Sequence, residues 1–172
     1  MKHLLLVVFA LFLYLGLYWP DVDKHLMSLL HHRSILTHSI LLPLLVMVLL
    51  RSNYSKPIAA GLSAGISIHL AASVISPMSG YSQVYLPAPM SNSIGATESL
   101  IWLGLNAIAC YFLALRFLKT HSKTIPFIYL LAAAGYSLYV KDDVRPWLVC
   151  FAIFLIPFMF DKAKSKLRRV TQ

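Results

Sequence analysis

Apolar residues fall into six blocks along the chain, Leu4–Trp19, Ile35–Leu50, Ile58–Ile75, Ser99–Leu118, Ile125–Val140 and Pro146–Phe160, separated by polar links. Runs this long and this continuous read as membrane-crossing helices. The fold class that follows is all-α, a polytopic transmembrane bundle of about six short helices. Several blocks hold only about 15–18 residues, below the roughly 20 that cross hydrocarbon upright. Flanking Trp, Tyr and Lys and some bilayer thinning take up that shortfall. The last two blocks carry the weakest signal for full spans and could instead form a hairpin that only dips into the bilayer. Most links are short, but Ser76–Thr97 carries Pro77, Gly80, Pro87, Pro89, Asn92 and Gly95 and reads as an ordered or lid-like loop. The first block follows Met1-Lys2-His3 and ends in Tyr18-Trp19-Pro20-Asp21 with no small-x-small cleavage site, so it reads as an uncleaved first helix.

Composition agrees with the pattern. Of the 172 residues, 59% are hydrophobic and 12% charged, with a mean hydropathy of +0.73, whereas charged residues make up about a quarter of an ordinary soluble domain. A net charge of +9 and a pI near 9.7 raise nucleic acid as a partner. The placement of the basic residues, between apolar blocks and in a tail at 162–172, argues against nucleic acid and for membrane orientation. With the N-terminus inside, eleven of the fifteen Lys and Arg residues fall on the inner side, and Asp21, Asp23, Glu98, Asp142 and Asp143 fall outside. Residues 1–161 are thus expected to form one transmembrane domain with both ends cytoplasmic, followed by a basic cytoplasmic tail at 162–172. Cys110 and Cys150 sit singly in apolar blocks, in no metal or redox spacing, and read as core residues.

That topology sends most of the histidines and carboxylates to one level of the bilayer. Asp21 and Asp23 lie just past the outer end of the first helix, and His25, His31 and His32 occupy the loop that follows. His38 opens the second helix, His69 lies two-thirds along the third, and Glu98 starts the fourth. In Pro20-Asp21-Val22-Asp23, an extended stretch or a turn brings two carboxylates onto one cation. His31 and His38 are seven apart, so on a continuous helix they share a face but stand about 10 Å apart, too far for one zinc with bonds near 2 Å. Either the chain breaks between them, or two metals are bound, or one imidazole only supports the other. The favoured reading is a break near Ser34–Thr37, with Thr37 or a nearby Ser capping the second helix. Gly61, Gly65, His69 and Ser73 recur every four residues, a stripe that lets a neighbouring helix approach closely and turns His69 into the bundle.

These residues also resemble a known family. Pro20-Asp21-Val22-Asp23, His32-Arg33-Ser34-Ile35-Leu36-Thr37-His38-Ser39 and His69 followed by Ser76-Pro77 and Gly80 are similar to the PDxD turn, HRGxTHS segment and third-helix histidine of a bacterial family. That family is described as membrane-bound metal-dependent hydrolases, some linked to the LexA-regulated damage response. The likeness covers roughly the first half of the chain. It implies metal-site roles for Asp21, Asp23, His32, His38 and His69. Ser34 stands where the family has Gly, and Ser73 where it has Asp, which removes one carboxylate that Glu98 is positioned to replace.

The function expected from these readings is a metal-dependent hydrolase of the bacterial inner membrane, acting near the outer leaflet on a lipid or lipid-linked ester or phosphoester. The metal is Zn2+ by ligand type, with Mn2+ as the alternative. Asp23 or Glu98 serves as general base, and Arg33 neutralises a phosphate oxygen. The competing expectation is a non-catalytic membrane protein, a binding, assembly or transport-related factor, in which the same polar cluster is a structural network and the metal site degenerate.

Overall fold

The computed structural model describes residues 2–118 and 124–170. Among these the chain is all-helical, with seven α-helices: α1 (Lys2–Tyr18), α2 (Met27–Leu30), α3 (Leu41–Leu49), α4 (Ser55–Val74), α5 (Ala96–Phe117), α6 (Thr124–Gly135) and α7 (Arg145–Val170). Three are long and apolar enough to cross a membrane: α1 with the turn after it, α4 and α5. The tail expected to begin at residue 162 continues the helix of α7 as far as Val170, and Thr171 and Gln172 lie outside the described residues.

The buried helix is α4. Its apolar window is 89% buried, against 28% for the first span and 33% for α5, so α4 is the axis on which the other helices pack. Its sequence explains this, because Gly61, Ala64, Gly65, Ala71, Ala72 and several Ser residues offer little side chain to hold neighbours away. Helix α1 runs parallel to it in a four-residue register: Phe9 lies against Gly61, Leu13 against Gly65, and Leu17 against His69. A Cβ placed on Gly61 or Gly65 would collide with the α1 backbone, and one on Gly16 would come within 2.6 Å of Leu62 O. The glycine stripe read from the sequence is therefore the contact that seats α1 on α4.

The second apolar block departs from the expected pattern. Only Leu41–Leu49 is helical, and residues 31–40 form an irregular segment in which His31 (φ 62°) and Arg33 (φ 53°) take left-handed backbone conformations. The break expected near Ser34–Thr37 is present but longer, and His38 precedes the helix rather than opening it. Thr37 does not cap α3; Ser39 Oγ accepts from Leu41 N–H instead, at 3.3 Å. The long link at Ser76–Thr97 is ordered, and it locks onto this irregular segment and onto α2 before it: Tyr85 N–H donates to Arg33 O (3.0 Å) and Ile35 N–H to Tyr85 O (2.9 Å), while Ala88 N–H donates to Leu29 O of α2 (2.8 Å). From α5, Trp102 Nε1–H donates to His38 O (2.9 Å) and Asn106 Oδ1 accepts from Ile40 N–H (3.1 Å). Irregular backbone at this depth is tolerable because protein groups satisfy it.

Candidate functional site

The site lies where α1 and α4 end and α5 begins, and its first side chains come from a 3-10 turn, Trp19–His25, entered through Pro20. Of the two geometries expected for Asp21 and Asp23, an extended stretch or a turn, the chain takes the turn, and it separates the two carboxylates instead of bringing them together. With three residues per turn, positions two apart diverge by about a third of a circle. Asp21 pairs with Lys24 one turn on (Nζ–Oδ1 2.7 Å) and lies 4.0 Å from His69 Nε2. Asp23 turns the other way, into the 31–40 segment, and is wholly buried.

A buried carboxylate must be hydrogen-bonded to be tolerated, and Asp23 is half satisfied. Its Oδ2 accepts from Ser34 N–H (3.0 Å) and Thr37 Oγ1–H (3.0 Å). With the Thr37 hydrogen spent on the carboxylate, Thr37 Oγ1 accepts from His38 Nδ1–H at 3.1 Å. The tautomer of His38 follows from that network: Nδ1 carries the hydrogen, and Nε2 carries the lone pair. His38 is 1% exposed. Burial first, with the Arg33 guanidinium nearby, holds its pKa well below the ordinary 6.5, so it is neutral at pH 7.

His69 has the same orientation logic. Its Nδ1 lies 2.8 Å from Leu17 O, which can only accept, so Nδ1 carries the hydrogen and Nε2 the lone pair. Tyr136 Oη sits 3.2 Å from the same Nδ1. The rings of His38 and His69 meet edge to face with centroids 5.6 Å apart. Both imidazoles are thus held through Nδ1 by outer groups and present Nε2 unprotonated, the arrangement that orients metal-binding histidines.

The remaining residues close the group. His32 Nδ1 lies 3.5 Å from Asp23 Oδ1, and both atoms are buried without a hydrogen-bond partner. Arg33 is 9% exposed, and its Nη1 donates to Ser82 O in the 76–97 link. Burial pulls its pKa down, while the Asp21 and Asp23 carboxylates pull it back up, and as a guanidinium it keeps its charge. His31, next to this group, instead stacks on Tyr85 with centroids 3.9 Å apart. Lys24, Met27, His32 and Tyr81 line a cavity of about 370 Å³ at the open side. Glu98 does not join: it is exposed in the first turn of α5 with its carboxylate folded back against Gly95, and it makes no ion pair or hydrogen bond with the cluster among the described residues. Ser73 is buried at the end of α4 and supplies no carboxylate.

The donor atoms suit a divalent cation in kind. Two donors of one tetrahedral zinc, each about 2 Å from it, stand roughly 3.3 Å apart. The unpartnered Asp23 Oδ1 and His32 Nδ1 are at nearly that spacing, and the lone pair of His69 Nε2 has the Asp21 carboxylate for its neighbour. Among the described residues, however, no three His, Cys, Asp or Glu side chains already converge on a single point as a closed ligand set.

The sequence reading missed the contribution of the second half of the chain. Tyr136 begins a π-helical turn, Tyr136–Val140, that extends α6 and carries the phenol to His69. A turn of this kind is often found at functional sites, but a tyrosine in an apolar block gives no sequence signal. Lys141 lies over the Tyr136 ring at 5.5 Å, its pKa lowered by burial and raised by Asp21. Leu17 O and Ser34 N–H are backbone groups, invisible by residue type.

Comparison with protein-family models, with curated proteins and with solved structures finds nothing that matches this chain. Among the described residues, what the fold itself defines is an all-helical protein with three helices long and apolar enough to cross a membrane and an imidazole–carboxylate cluster at one end of them.

Proposed function

We propose that this chain is a metal-dependent hydrolase of the bacterial inner membrane, multi-pass, working near the outer leaflet on a lipid or lipid-linked ester or phosphoester. The observation that carries the reading is the pair Asp23 Oδ1 and His32 Nδ1, two buried polar atoms 3.5 Å apart with no partner, backed by two imidazoles oriented through Nδ1. An unsatisfied buried carboxylate oxygen beside an unsatisfied imidazole costs stability unless a cation or proton joins them. The resemblance of the PDxD and HRxxxTHS segments to the hydrolase family points the same way.

The ion, Zn2+ by donor type or Mn2+ in its place, would be held by His32, His38 and His69 with Asp21 or Asp23. Bound there, it supplies Lewis acidity to the scissile bond and makes water a nucleophile near neutral pH. The carboxylate that does not hold the ion is left to accept a proton. Of the two residues expected as base, Asp23 is inside the cluster and Glu98 outside it, so the role falls to the Asp21–Asp23 turn. Arg33 keeps Nη2 and Nε for an anionic oxygen of the substrate, in the fork geometry that suits phosphate.

The test is turnover. Purified protein reloaded with Zn2+ or Mn2+ is offered ester and phosphoester lipids in mixed micelles. Chelator-sensitive hydrolysis, lost in His38→Ala and His69→Ala, is the expected result; no turnover of any of them by metal-loaded protein rejects the reading.

A second reading has its own support. Ser73 in place of a carboxylate and the lack of a closed three-ligand set among the described residues favour a non-catalytic membrane protein in which the cluster is a hydrogen-bond network. That protein would not be stabilised by Zn2+ or Mn2+, whereas the hydrolase would show a chelator-reversible rise in melting temperature.

A further inference from the structure

Of the five residues proposed to hold the ion, Asp23, His38 and His69 are closed off, at 0%, 1% and 4% exposed. Asp21 and His32 open outward, with side chains 31% and 24% exposed. Both give onto one place. Lys24, the ion-pair partner of Asp21, and His32 are walls of the cavity of about 370 Å³ at the open side, and Met27 and Tyr81 are its others. The volume suits a small polar head and its substituent. His32 turns Nδ1 inward, to 3.5 Å from Asp23 Oδ1, and presents the rest of its ring to the cavity. At the rim the Lys24 side chain is 52% exposed, and a charged ammonium stands in water or among headgroups rather than in hydrocarbon. The hydrocarbon side differs. An apolar hollow beside α3, lined by Trp19, Leu41 and Leu45, stops at Thr37, which is buried against Asp23, and no imidazole of the described residues lines it. Around Asp21 stand Lys24, Arg33 and Lys141, three cations against the carboxylates of Asp21 and Asp23.

We infer that this cavity binds the phosphate of a phosphoester head presented from the aqueous end of the bundle, with Lys24 and His32 as its first contacts. Of the two classes proposed above, the phosphoester is then the substrate and the carboxylic ester is not. An acyl ester lies at the hydrocarbon boundary and would have to come past Thr37, whereas a headgroup phosphate meets the open side directly. The excess of positive charge favours an anion over a neutral ester. An ammonium with three donors can hold Asp21 and a phosphate oxygen together. The phosphate can come on a lipid or on a soluble molecule, and the chemistry that recognises it is the same. This deepens the hydrolase reading and rests on it for turnover; recognition of the phosphate needs no turnover.

The experiment uses the full-length protein, cleared of metal, in phosphatidylcholine nanodiscs. It follows carbethoxylation of His32 by diethyl pyrocarbonate, read peptide by peptide by mass spectrometry. His32 should react while the buried His38 and His69 do not. Inorganic phosphate in the buffer, or phosphatidic acid doped into the bilayer, should protect His32 saturably, and Lys24→Gln should weaken that protection several-fold. Protection by phosphatidic acid alone assigns the phosphate to a lipid, and protection by inorganic phosphate alone assigns it to a soluble molecule. The way in is tested with Met27→Cys, Tyr81→Cys and Leu45→Cys, since Cys110 and Cys150 are buried. A benzyl methanethiosulfonate adduct in Met27→Cys or Tyr81→Cys should shield His32 several-fold, and one in Leu45→Cys should not. An unreactive His32, no protection by either phosphate source, protection unchanged in Lys24→Gln, or shielding from Leu45→Cys alone would overturn the proposal. Phosphate protection without phosphoester hydrolysis would sink the enzyme reading and leave the cavity standing. Hydrolysis of carboxylic esters without phosphate protection would do the reverse.

Discussion

Two apolar blocks of similar length, Ile35–Leu50 and Ile58–Ile75, meet opposite fates. The second becomes a 20-residue helix, the most buried in the molecule. The first yields nine helical residues, preceded by a segment without regular structure. Hydrophobicity does not separate them. The difference is where their polar residues find partners. In α4, Ser67 donates to Ala107 O (2.7 Å) and His69 bonds Leu17 O, contacts that a helix can make sideways without breaking its own ladder. At the head of the first block and in the two residues before it, Asp23 takes the Ser34 amide and the Thr37 hydroxyl, and the 76–97 link takes the Arg33 carbonyl and Ile35 amide. A charge-assisted bond to a buried carboxylate is stronger than the helical bond it replaces, so the chain leaves the helix there and the site is what it forms instead.

The sharpest way to break the α4 side of this contrast is Gly65→Val. Its side chain would run into the α1 backbone at Leu13 and Leu17, neither of which can move aside cheaply. The loss should be the largest of any single change, about 3 kcal/mol or more, seen as a fall in melting temperature in detergent.

The other side is tested by Asp23→Ala. It strands the buried Ser34 amide, at about 1–3 kcal/mol, while the Thr37 hydroxyl retains Ser34 O as an acceptor at 3.2 Å. Asp23→Asn keeps one acceptor oxygen and should recover roughly half of that loss. Proteolysis between residues 31 and 40 should quicken in Asp23→Ala and not in wild type or in Glu98→Gln. Protection of that segment in Asp23→Ala would show that the carboxylate does not hold it.

Acid should act on the same segment. His38 has its folded pKa well below 6.5, so the unfolded chain binds the extra proton first. The contribution is fully present above about pH 6.5 and is lost as the pH falls from there toward the folded value. Metal-free protein should therefore lose stability below pH 6.5, and His38→Phe should flatten that part of the curve. An unchanged slope in His38→Phe would remove His38 as the origin. The smallest effect belongs to Glu98→Gln, exposed and outside the cluster: within about 0.5 kcal/mol of wild type in stability, with metal content unaltered.

The same contrast explains what could be read from the sequence. The helical class, the interior placement of His69 through Gly61 and Gly65, and the break between His31 and His38 all follow from residue type and spacing. The extent of the break does not, because it is set by backbone groups of the 76–97 link and by Asp23, partners distant in sequence. The divergence of Asp21 and Asp23 depends on Trp19–His25 winding as a 3-10 turn rather than extending, and PDxD is compatible with both. Tyr136 and Lys141 reach the site through a π-turn at the end of α6, where nothing in an apolar run marks one tyrosine from another.

The central claim is that imidazoles of residues 32, 38 and 69 share a divalent ion with the Asp21–Asp23 turn. The direct measurement is metal content by mass spectrometry of the purified protein, reloaded with Zn2+ or Mn2+ and cleared of free ion. One tightly held ion per chain is predicted for wild type, falling several-fold in His38→Ala and in His69→Ala while both remain folded. Wild-type protein that retains none after loading, or the same content in all three proteins, would contradict the account.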